Sequence, residues 1–256
     1  MLWRRLRMKF HTLVLEGKPE KKEKHLPMHT KDDYLYRKQM ENRSSLHNRS
    51  FYLCRMIEEE LKGVDIDGSG KITICAYQVQ SVSGEDKYIC DQYFGISVYY
   101  LEQEEINAIE KADKNTEPMI ILGILRNSLL DIAQQKHCSE DVTKKLEGAF
   151  ENIINNQFVR EERISKLTKR AKNIGLTAYV YRILSDETGE GWYVKIADRK
   201  GNIYCQTAIN DDVRYVDRLG SRLYAKAEWH GNTFVILNRF GKDAFSISVK
   251  TKENDI

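Results

Sequence analysis

Between Leu176 and Phe240 the chain falls into five short runs in which apolar and polar residues alternate. A two-residue period belongs to strands with one buried face, so this stretch is committed to β-sheet. The strands are expected at Thr177–Leu184, Trp192–Ala197, Ile203–Thr207, Leu223–Trp229 and Thr233–Arg239, with Ala244–Val249 adding a sixth. Asp198-Arg-Lys-Gly201-Asn202 marks the turn between the second and third, and His230-Gly231-Asn232 the hairpin turn between the fourth and fifth. The connection from Ala208 to Gly220 is longer.

Alternation also assigns faces. Trp192, Val194 and Ile196 share one side of their strand, and Tyr193 and Lys195 the other. The same reading sets Tyr204 against Ile203 and Cys205, and Tyr224 and Lys226 against Ala225 and Ala227. The inward set of the last hairpin is then Ala225, Ala227, Val235 and Leu237. Only one face can fill a small barrel, so Tyr193, Lys195, Tyr204, Tyr224 and Lys226 are expected outside together. Aromatic rings interleaved with cations suit single-stranded nucleic acid, because bases stack on rings and phosphates pair with cations. The bland alternative is that these tyrosines pack against the central helices.

Trp192-Tyr-Val-Lys-Ile-Ala-Asp198 followed by Gly201-Asn202, the run Leu219 to Glu228, and Thr233-Phe-Val-Ile-Leu-Asn-Arg239 together resemble the OB-fold of phage and bacterial single-strand-binding domains. The resemblance covers about residues 176–240 and implies a five-stranded barrel whose longest connection joins strands three and four. It adds Arg239, at the end of the closing strand, to the residues implied in binding nucleic acid.

The rest of the chain reads as α+β. Phe51, Leu53, Cys54, Ile57 and Leu61 have helical spacing, and Gly63 is a natural stop. Lys71–Val82 alternates as a strand, and Tyr88–Leu101 as another strand or a broken pair. Helices follow at Gln103–Ala112, after Thr116 with Pro118 in the first turn, and after Ser139. Their apolar stripes are Ile121, Leu122, Leu125, Leu129 and Ile132, then Val142, Leu146, Phe150, Ile153 and Ile154. Arg160–Lys172 reads as a basic helix or connector. The expected architecture is a central antiparallel sheet covered by several helices, followed by a small OB-like β-barrel. The divisions are a basic, flexible arm at 1–45, an α+β domain at 46–172 and the barrel domain at 173–256.

Charge limits the partners. The net charge of +3 over 256 residues does not by itself call for a polyanion. Residues 1–31 carry nine basic against three acidic residues, whereas residues 173–256 carry twelve against eleven. The basic connector, with Arg163, Lys166, Lys169 and Arg170, could extend a phosphate-tracking surface or meet an acidic protein. Met1–Leu15 could form a basic amphipathic helix, but no apolar run reaches the roughly 20 residues of a membrane span. Five scattered cysteines without metal-ligand spacing fit reduced thiols in the cytoplasm.

No motif carries enzymatic chemistry. There is no nucleotide-binding glycine loop, no nucleophile elbow and no zinc spacing among the six histidines, so no cofactor, metal or catalytic residue is expected. His25 and His29 are four residues apart but flank Pro27 in the polar arm. Asp65-Ile-Asp67-Gly-Ser69-Gly70 resembles the first half of an EF-hand calcium loop, yet position twelve is Ala76 and a strand follows. A tight Asp/Gly turn accounts for the same residues. The expected function is non-enzymatic binding of single-stranded nucleic acid by the C-terminal barrel, with an α+β domain that self-associates or recruits a partner. The alternative is a protein-interaction module, such as an immunity or inhibitor protein that neutralises a toxin or defence enzyme.

Overall fold

Two apolar runs, Thr12–Gly17 (β1) and Lys71–Ala76 (β2), form adjacent parallel strands in the computed structural model, which describes residues 8–17, 46–76, 87–91, 94–209 and 224–249. Two compact units emerge, Met1–Val159 and Arg160–Ile256. The break falls ahead of the 172/173 boundary expected from sequence.

In the first unit, β2 also pairs in parallel with Ile96–Tyr100 (β4), and Tyr88–Asp91 (β3) closes the edge antiparallel to β4. The order is β1-β2-β4-β3, a mixed sheet rather than the antiparallel one expected. The reason is connectivity. Helix α1, Leu46–Glu60, lies between β1 and β2 in the chain and packs beside β1, and a crossover of this kind sets the strands it joins parallel. Such strands are buried on both faces and read as continuous apolar runs without alternation. Leu13, Val14 and Leu15 are accordingly all buried, so the segment read as flexible arm, or as part of an amphipathic helix, holds a core strand. Residues 1–7 and 18–45 lie outside the described residues, with His25 and His29 among them.

Three further helices complete this unit: α2 at Gln103–Lys111, α3 at Glu117–Gln135 and α4 at Glu140–Asn155. Thr116 and Ser139 occupy the N-cap positions and Pro118 the first turn. The hydroxyl of Thr116, however, bonds Asp113 in the preceding turn instead of the helix. All five stripe residues expected on α3 are buried, whereas on α4 Ile154 is exposed and Ala149 takes its place in the core. A polar contact anchors the edge: the Leu13 amide donates to Oε1 of buried Glu58 at 2.7 Å, and Arg55 pairs with the same carboxylate.

The second unit is entirely strand and turn among its described residues. Arg160–Arg163 (β5) and Lys169–Ala171 (β6), read from sequence as a basic helix or connector, both pair with Leu176–Ser185 (β7). Gly189–Ala197 (β8) and Ile203–Ala208 (β9) continue the sheet as antiparallel neighbours. Lys226–His230 (β10), Thr233–Leu237 (β11) and Asp243–Ser248 (β12) form a second, three-stranded sheet. The inner faces of the two sheets share one core that includes Ala178, Val180, Trp192, Val194, Ile196, Phe234 and Ile236. The Trp229 indole donates to the Lys169 carbonyl at 3.0 Å, tying β10 to β6.

The last hairpin corrects the inward set. A two-residue loop, Gly231-Asn232, pairs His230 with Thr233 and therefore Ala227 with Ile236. The core face is Ala227, Phe234 and Ile236, and Val235 lies on the other side opposite Glu228 and Ser246. A one-residue offset reverses every side chain of a strand.

Candidate nucleic-acid interface

Strict alternation along β7 and β8 gives the five-stranded sheet one core face and one outer face. On the core side stand Ala178, Val180, Trp192, Val194 and Ile196; on the outer side stand Tyr179, Tyr181, Tyr193 and Lys195, all half-buried. Cross-strand register then builds rows. Tyr181 lies opposite both Arg163 and Tyr193, and Tyr193 opposite Ala208. The next row is Tyr179, Lys195 and Gln206. Tyr204, 55% exposed, lies two residues before Gln206 on β9, at a bulge where the register passes from Cys205 to Ile203, and faces away from the core-packed Cys205.

The rings are arranged against each other and against cations. Tyr181 and Tyr193 stack with centroids 4.9 Å apart and planes 12° from parallel. The Arg163 guanidinium lies 5.9 Å from the centre of the Tyr179 ring, inside the range of cation–π attraction. Tyr193 donates to Oε2 of Glu161 at 2.7 Å. Burial, then this bond and the carboxylate's charge, raise the Tyr193 phenol well above its ordinary value, so it stays a neutral donor. The β8–β9 hairpin ends the surface. Asp198 accepts from the amides of Lys200 and Asn202 and from the Asn202 side chain, which holds its carboxyl low and folds it into the turn. Arg199 and Lys200 project from the same turn, both exposed.

The residues expected to bind divide into two groups. Tyr193, Lys195, Tyr204 and Arg163 share the outer face of the five-stranded sheet. Tyr224 does not: it is 3% exposed and packs edge-on against Trp192 at 5.2 Å, inside the core. The alternation that placed it outside fails because β10 begins only at Lys226, and Ala225 is the exposed residue. Lys226 lies on the three-stranded sheet, paired with Glu228 at 2.5 Å, and Arg239 follows β11 beside the exposed Phe240 ring. Lys166 and Arg170 are exposed, and Lys169 is half-buried in β6. Tyr179 and Tyr181 were missed, although the alternation of Thr177–Leu184 already sets them on one side.

The Asp65–Gly70 loop of the first unit is a network of a different kind. Asp65 accepts from the Gly68 amide, and Gly68 has φ of +82°, so the loop is a glycine turn entering β2. Asp67, 9% exposed, accepts from the Ser69 amide and hydroxyl on Oδ1, and from the Tyr88 and Ser97 hydroxyls on Oδ2. Burial and Asp67 push the Tyr88 phenol strongly upward. Oδ1 thus faces donors of its own loop and Oδ2 donors of the sheet. Cys138 donates to the Ile66 carbonyl at 2.8 Å, and burial followed by the charges of Asp65 and Asp67 raises its thiol, the reverse of what a nucleophile needs. Among the described residues no three His, Cys, Asp or Glu side chains gather into a metal-binding group. No helix among them is long and apolar enough to cross a membrane.

Compared with protein-family models, with curated proteins and with solved structures, the chain shows no match.

Proposed function

We propose that this protein is a non-enzymatic binder of single-stranded nucleic acid, and that the outer face of its five-stranded sheet is the binding surface. The observation that carries the reading is the set Tyr179, Tyr181, Tyr193 and Tyr204 on one face, interleaved with Arg163 and Lys195. A base has a flat π-face whatever its identity, so a ring platform binds without sequence preference, and each stacked base contributes about 1–3 kcal/mol. Lysine and arginine between the rings meet the phosphates. Two sheets around one core support an OB-like, partly open arrangement for this unit. Five scattered cysteines without metal-ligand spacing support a reducing, cytoplasmic setting.

Fluorescence anisotropy of a labelled oligothymidylate at low salt tests the reading. Wild type binds, and Tyr179→Ala/Tyr204→Ala weakens binding by at least about thirtyfold, the lower bound for two lost stacking partners. Absence of binding at low salt overturns the proposal. Recovery of one stoichiometric protein partner from the host, free of nucleic acid, would favour the immunity or inhibitor reading instead.

A further inference from the structure

From the geometry of the outer face we infer that the bound strand runs along β8 and that the β8–β9 hairpin clamps its phosphates through Arg199 and Lys200. The inference rests on the proposed nucleic-acid reading and adds to it a direction and a second contact point.

The rows of the outer face are stacked along the strands, not across them. Passing down β8 from Tyr193, the register gives the Tyr181–Tyr193 pair, then Tyr179, Lys195 and Gln206; Tyr204, the extra residue of a bulge that the register passes over between Cys205 and Ile203, comes next on β9, and then the hairpin turn. Successive rows are about 7 Å apart, two residues of strand rise, a step that suits one extended nucleotide. Arg199 lies six residues beyond Tyr193, so a strand touching both would extend over about 20 Å.

Charge fixes the end at which phosphate is held. The opposite turn, between β7 and β8, carries Asp186 and Glu187, both exposed. Glu161 lies towards that same end, opposite Ile183. At the β8–β9 turn, Asp198 is folded into its own backbone by the Lys200 and Asn202 amides and the Asn202 side chain. Among the described residues no carboxylate pairs with Arg199, Lys200 or Lys195. The lane therefore begins acidic and ends basic, with aromatic rings between. A polyanion has one favourable exit, across the hairpin.

Salt dependence separates this from simple stacking. Oligothymidylate affinity is measured across a salt series for wild type, Arg199→Ala/Lys200→Ala, Tyr179→Ala/Tyr204→Ala and Lys226→Ala. Two lost phosphate contacts lower the slope of log K against log salt by about 1.4 and weaken binding about twentyfold near 0.1 M salt. The tyrosine variant loses affinity at every salt concentration with the slope kept. Lys226→Ala, on the other sheet, leaves both unchanged. Arg199→Gln/Lys200→Gln reproduces the alanine result while keeping a polar turn, and the fluorescence of Trp192 and Trp229 reports whether each variant is folded. An unchanged slope in both hairpin variants, with tyrosine-dependent binding intact, overturns the inference and leaves the proposed function standing. Failure of wild type to bind overturns both.

Discussion

Replacing Asp67 with Ala should remove a large share of the first unit's stability. Four donors converge on this buried carboxylate: the Ser69 amide and hydroxyl, and the hydroxyls of Tyr88 and Ser97. In the variant, Ser69 and Ser97 can still pair with each other, since their oxygens are already 3.1 Å apart. The Ser69 amide loses its partner outright, and the half-buried Tyr88 hydroxyl keeps only a 3.5 Å contact with the Ser97 hydroxyl. A buried donor left without a partner costs about 1–3 kcal/mol, so the amide at about 2 and the half-buried hydroxyl at about 1 together cost about 3 kcal/mol. Against a typical total of about 5–15 kcal/mol this is a large fraction. With a urea dependence near 2 kcal/mol/M, the midpoint falls by about 1.5 M.

Location makes the assay specific. All four helices among the described residues belong to the first unit, so helical ellipticity follows its unfolding. Trp192 and Trp229 lie in the second unit and Trp3 in the first, so in a Trp3→Phe background the tryptophan signal follows the second unit and should keep its own midpoint. Tyr88→Phe alone should cost about 1 kcal/mol, because it removes the donor together with its demand for an acceptor. In the double variant the orphaned phenol no longer exists, so the combined loss should fall short of the sum by about 1–3 kcal/mol. A loss under about 1 kcal/mol for Asp67→Ala, or strict additivity, would refute the argument that Asp67 organises the donors around it.

Three further outcomes are expected. Arg182→Ala breaks the buried pair with Glu190, 2.8 Å long and less than a tenth exposed at either partner, and should cost about 3–5 kcal/mol in the second unit; Arg182→Met/Glu190→Leu should recover most of it, and both are read by tryptophan fluorescence during denaturation. Tyr99, 2% exposed, has its phenol raised by burial and then by Asp131, so the folded chain keeps a proton that the unfolded chain releases near pH 10. Its stabilisation is complete below that pH and falls by up to about 1.4 kcal/mol per pH unit above it, whereas Tyr99→Phe should show a shallower alkaline loss in denaturant titrations. Millimolar calcium should leave the melting temperature unchanged, because Asp67 Oδ1 is engaged by Ser69 and Oδ2 by Tyr88 and Ser97; a calcium-induced rise would show that the loop can turn outward.

Legibility from sequence followed the number of faces each element buries. Helices α2, α3 and α4 and strands β7 and β8 each bury one side, and β9 half-buries one, so their period and their caps appear in the letters. β1 buries both sides within Thr12–Gly17, loses its alternation, and sits within a charged stretch that reads as an arm. Parallel pairing is a relation between segments more than fifty residues apart, Leu13 with Ile72, and no local pattern encodes it. The outer face was legible wherever a strand continued through the residues concerned, as at Tyr193 and Lys195. It failed at Tyr224, just ahead of the first residue of β10, because strand parity has no meaning beyond the strand. Arg163 was noticed only as a charge; its place beside Tyr179 depends on the pairing of β5 with β7.

The near balance of charge in the second unit is a poor guide to what its surface presents. Four of its acids are engaged locally, away from the β8–β9 turn or folded into it. Glu190 is buried against Arg182, Glu228 is held by Lys226 and His230, and Asp198 is turned into its own loop. Glu161 accepts from Tyr193. Lys195, Arg199 and Lys200 have no such partner among the described residues, and Arg163 lies beside the Tyr179 ring. At physiological ionic strength an exposed charge is felt over only about 8 Å, so a passing phosphate responds to these neighbours and not to the sum over the unit. A sheet face can therefore attract a polyanion while its unit stays close to neutral, and its affinity should fall with salt in proportion to those few cations alone.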